Sequence, residues 1–89
     1  MSQEELIEQG EAAQTLLETP VFNQTINQLL NSTYTTFFNS KPSEFKERET
    51  AHQHYQAIVD IVSTLRQKVE IKDEILVTAN QLEDGEDHV

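Results

Sequence analysis

Apolar residues recur at helical spacing through the first forty positions. Leu6, Gly10, Ala13 and Leu17 follow steps of four, three and four, with Leu16 widening the stripe, and predict a helix over 3–18. Ser2 and Glu5 stand at capping-box spacing ahead of it, with Met1 and Leu6 placed for a hydrophobic staple. Thr19-Pro20 then interrupts the pattern, because the residue before a proline avoids the helical region while proline itself suits a first helical turn. A second helix over 20–38 carries Phe22, Ile26, Leu29, Thr33 and Phe37 on one face, broadened by Leu30 and Tyr34. Its Asn, Thr and Ser content gives little intrinsic helicity, so packing must hold it. The β-branched and aromatic run TYTTFF supports a strand as the rival reading, against which the long helical pattern before it argues.

A break at Asn39-Ser40-Lys41-Pro42 precedes the clearest signal in the chain. Ala51, Tyr55, Ile58, Val62, Leu65 and Val69 alternate steps of four and three, a heptad seam within a third helix over 43–82. Glu44 and Arg48, four apart, form an exposed pair worth about 0.3 kcal/mol. Beyond Val69 the stripe shifts to Ile71, Ile75, Ala79 and Leu82. Either the helix bends or breaks near 70–73, or one continuous helix turns a second face to another partner. The fold expected is all-α: a helical hairpin or three-helix bundle with a long C-terminal helix, one domain over 1–82. Residues 83–89 read as an acidic flexible tail.

At about 1.5 Å per residue the third helix reaches roughly 58 Å, against roughly 25 Å and 28 Å for the other two. It overshoots its cover, which leaves apolar positions in 69–77 exposed and makes Val69, Ile71, Ile75, Leu76 and Val77 a candidate partner interface. In this reading Phe22, Ile26, Leu29 and Phe37 pack on Tyr55, Ile58, Val62 and Leu65. A break at 70–73 would instead fold the last segment back and close a four-helix monomer.

Charge changes the picture. The 89 residues hold 16 acids and 6 bases, a formal net charge of -10, yet Pro20 to Ser40 contains no Asp, Glu, Lys, Arg or His. A helix lying between others would account for that neutrality, since burying unpaired charge is costly. The acidic balance opposes direct contact with nucleic-acid phosphates or an anionic membrane. No segment has the length and apolarity to span a bilayer, and the acidic N-terminus lacks the pattern of a signal peptide, so the expectation is a soluble, unexported chain. Cysteine is absent, which excludes disulfides and thiolate chemistry.

Candidate chemistry is sparse. His52 and His54 lie two apart, on different sides of a helix, so they cannot share one metal there. No nucleophile, acid-base or phosphate-loop pattern occurs, so no catalytic, cofactor-binding or metal residues are expected. Glu4, Glu8, Glu11 and Glu18 form an acidic face, either a solubilising surface or a mimic of a phosphate backbone that occupies a basic DNA-binding groove.

The stretch from Glu11 to about Arg66 resembles a group of small, acidic, all-helical proteins encoded in the structural or packaging regions of tailed bacteriophage genomes. The resemblance rests on Ala13, Leu16 and Leu17 in the opening helix, on Pro20 and Phe22, on Phe37 and Phe38, and on Arg48 with Glu49. Some members carry a glycine near the shift in the last helix, where this chain has Glu70 and Lys72. The resemblance implies a phage origin, action in the host cytoplasm or the virion, and a non-enzymatic, self-associating accessory or adaptor role in virion assembly or DNA packaging. Its partners would be other copies or another phage structural or packaging protein. The alternative is an acidic, DNA-mimic-like inhibitor of a nucleic-acid-binding host protein.

Overall fold

The computed structural model describes residues 1–87, with side chains through residue 82. The protein is all-α: α1 spans Gln3–Leu17, α2 Pro20–Asn39 and α3 Phe45–Asp87. The TYTTFF run is helical. The Glu5 amide donates to the Ser2 hydroxyl at 3.2 Å, which realises half of the capping box. Met1, placed for a staple on Leu6, is exposed. At the first break Thr19 is extended (φ -76°, ψ 119°) and Pro20 opens α2. At the second, the Ser40 amide and hydroxyl both donate to carbonyls of the last turn of α2. The Glu44 carboxylate accepts the Lys41 amide at 3.2 Å and α3 starts one residue later, at Phe45.

α3 is a single helix through 70–73, so the break that would have made a four-helix bundle does not occur. Glycine and proline, the residues that interrupt helices most effectively, are absent there. The expected stop at 82 is also exceeded: helix continues to Asp87, each added residue gaining a hydrogen bond once the helix is nucleated. His88 and Val89 of the expected tail lie outside the described residues.

The chain divides into two compact units. In the first, Met1–Leu16 packs antiparallel on the part of α3 that begins at Thr64. Gly10 and Ala13 are buried, and this absence of bulk lets the two helix backbones approach closely. Polar contacts flank the approach, where the Lys68 ammonium donates to the Gln9 side chain at 3.1 Å and the Lys72 ammonium donates to the Gln14 side chain. Lys72 is only 7% exposed.

The second unit, Leu17–Ser63, is an antiparallel hairpin of α2 on the beginning of α3. Ala51 and Ile58 are its buried apolar residues. Phe22, Ile26 and Val62 are half-buried, while Leu29, Phe37 and Tyr55 are more open than the expected packing implied. No residue of α2 is buried. The neutrality of this helix therefore does not come from a middle position in a bundle, because α2 turns a broad surface to solvent. Its threonine hydroxyls are satisfied locally: Thr25 and Thr36 donate to carbonyls four residues back, at 2.7 and 3.0 Å, and Thr33 to Leu30 at 3.0 Å.

Candidate functional site

The expected interface on α3 is spread around the helix. α1 reaches the segment that was expected to overshoot, and Val69 and Ile75 are half-buried. Ile71 and Ile75 border a groove of about 400 Å³ that also involves Gln3, Leu6, Ala79 and Leu82. Ile71, Leu76 and Val77 remain exposed. Six helical steps place Val77 about 120° around the axis from Ile71, so these positions do not share one flat surface.

On α1, Glu4, Glu8 and Glu11 are exposed and lie on the side away from buried Gly10 and Ala13. Glu18 follows the end of α1 and belongs to the other compact unit. Charge is unequal between the units: the first holds eleven acids and three bases, net -8, and the second five acids and three bases, net -2.

The second unit carries an aromatic surface that is not among the sites expected from the sequence. Tyr34 and Phe38, one turn apart on α2, stack with ring centroids 6.1 Å apart and planes inclined by 18°. Beside them lies a groove of about 230 Å³ lined by Thr33, Tyr34, Phe37, Ala51, His52 and Tyr55. Arg48, expected to pair with Glu44, instead places its guanidinium 4.7 Å from the centre of the Phe37 ring, a cation-π arrangement. Phe38 is 74% exposed and Tyr34 61%. Tyr34, Phe37 and Tyr55 share the period of the expected core while Phe38 falls outside it, and helical periodicity does not report which face is left open.

The other side of the hairpin is polar, with Ser32, Thr36, Lys46, Glu47, Thr50 and His54 around a shallow depression. His52 and His54 thus border different grooves. Among the described residues no group of three or more His, Cys, Asp or Glu is placed to hold a metal ion, and no helix is long and apolar enough to cross a membrane. The aromatic groove is smaller than the roughly 300–1,000 Å³ of small-molecule sites and suits a single side chain better.

Comparison with protein-family models, with curated proteins and with solved structures finds no match to this chain.

Proposed function

We propose that this protein is a non-enzymatic accessory or adaptor of a tailed bacteriophage. It self-associates and acts through protein contacts in virion assembly or DNA packaging, in the host cytoplasm or in the particle. One observation supports the interaction role above all. Each unit leaves large apolar side chains open, Val21, Phe38 and Phe45 in the second and Ile71 and Val77 in the first, the kind of surface that a protein partner covers. The phage assignment rests on the sequence resemblance.

Light scattering over a wide concentration range, alone and with the head and packaging proteins of the source phage, tests the reading. Growth in mass with concentration, or a defined complex with one of those proteins, is the expected result. A constant monomer mass under all these conditions overturns it.

The exposed Glu4, Glu8 and Glu11 and the net charge of -8 on their unit favour a second reading, an acidic inhibitor of a nucleic-acid-binding host protein. It requires salt-sensitive capture of a basic protein that weakens when the three glutamates become glutamine. Capture indifferent to both changes excludes it.

A further inference from the structure

We infer that the aromatic face of the second unit is the self-association surface, and that its occupant is the same face of a second copy. The inference rests on the self-association proposed above and replaces an unspecified contact with a defined one. It begins from the neutrality of α2. Twenty residues without a charged side chain, in a chain where a quarter are charged, are needed neither for burial nor for the internal hydrogen bonding of the helix. Exposed helix surface ordinarily carries charge, and depletion of charge with enrichment in aromatics is the composition of an interface core.

The partner is chosen by electrostatics. Two copies meeting through the first unit would oppose surfaces of net charge -8, while the second unit carries -2, none of it on α2. Like-charge opposition therefore selects the aromatic side for contact between identical chains. The face is also self-complementary. Phe38 is a projecting ring, and the adjacent groove between Tyr34, Phe37, His52 and Tyr55 has room for one side chain. A two-fold arrangement lets Phe38 of each copy enter the groove of the other, so the same contact is made twice.

Tyr34 and Tyr55 are the only tyrosines and the chain has no tryptophan, so its intrinsic fluorescence reports on this face alone. The experiment compares sedimentation equilibrium and acrylamide quenching of tyrosine for the intact chain, Phe38→Lys, and the double variant Ile71→Ser/Val77→Ser. All three substitutions are at exposed positions, and circular dichroism checks that each variant retains its helix. The expected result is a dimer whose tyrosines become shielded as it forms. Phe38→Lys should weaken association by at least about tenfold, in the range of an interface hot spot, while the double variant dimerises as the intact chain does. If the intact chain associates, Phe38→Lys associates equally well and the tyrosines stay open to quencher, the surface is wrong although self-association stands. An intact chain that remains monomeric from micromolar to millimolar concentration overturns this surface and self-association together, including where another protein shields the tyrosines, and leaves only an adaptor role toward that protein.

Discussion

The side chain of Lys72 lies directly across Gly10, so a Cβ on residue 10 would collide with the Lys72 Cβ and stand 2.7 Å from the Lys68 carbonyl oxygen. A lysine thus occupies a place that an apolar residue normally fills. Its methylene stem covers the glycine, and its ammonium turns out to the Gln14 side chain and, at 3.4 Å, to the Asp73 carboxylate. Counting three on from Val69 along the heptad seam arrives at this same Lys72.

Gly10→Ala should destabilise the first unit even though it removes a glycine from a helix. Alanine would gain about 1 kcal/mol in helix propensity where space is open. Here the obstacle includes backbone, which cannot swing aside, and overpacking costs about 1–3 kcal/mol. A lower urea midpoint is the expected outcome; a higher one would show that the helices do not approach this closely.

Replacing Lys72 separates its stem from its charge. Lys72→Met keeps the cover over Gly10 and should change stability by less than about 1.5 kcal/mol, as near-isosteric swaps do. Lys72→Ala removes three methylenes from a buried position and should cost roughly 2 kcal/mol more than Met. Equal losses in the two variants, measured by denaturant titration, would place the stabilisation in the ammonium contacts instead.

Ile58 is the largest buried apolar residue of the second unit. Ile58→Ala should cost about 2–5 kcal/mol through lost transfer energy and an unfilled cavity. Ile61→Ala, three residues on at an exposed position, should shift stability by no more than about 0.5 kcal/mol. Thermal melts of the two variants should differ accordingly, and similar melts would contradict the packing described.

Asn23 ties down the end of α1 by donating its side-chain amide to the Leu17 carbonyl at 2.6 Å and to the Thr19 carbonyl at 3.3 Å. Asn23→Ala should cost about 0.5–1.5 kcal/mol. Asn23→Asp should cost more, since a carboxylate is only an acceptor and would face those carbonyl oxygens. An Asp variant as stable as the original would mean that the side-chain amide contributes nothing there.

The three helices and both connections were legible in the sequence because local chemistry sets them. Thr19-Pro20 cannot continue a helix, Ser2 supplies an acceptor to the Glu5 amide, and apolar residues recur every three or four positions. The shift of the seam after Val69 corresponds to a groove that Ile71, Ile75, Ala79 and Leu82 border together with Gln3 and Leu6 of α1, while hydrophobicity alone leaves Lys72 out of the pattern. Lys72 is buried, yet it registers as polar when its stem is ignored. Helix lengths do not say which part of α3 each shorter helix covers: α1 packs on the part from Thr64 onward and α2 on the part before it, and Ile71, Leu76 and Val77 remain exposed. The aromatic face was concealed among core positions, since Phe37, Tyr34 and Tyr55 share the period of residues that are buried.

What the sequence determined alone is therefore what depends on neighbours within a few residues: helix, stop, turn and the distribution of charge. Tertiary structure decided which segment packs on which, that a glycine and a lysine could stand in for two core side chains, and that uncharged α2 faces solvent. These outcomes depend on close approach between distant parts of the chain, and periodicity in one helix carries no information about the distance to another.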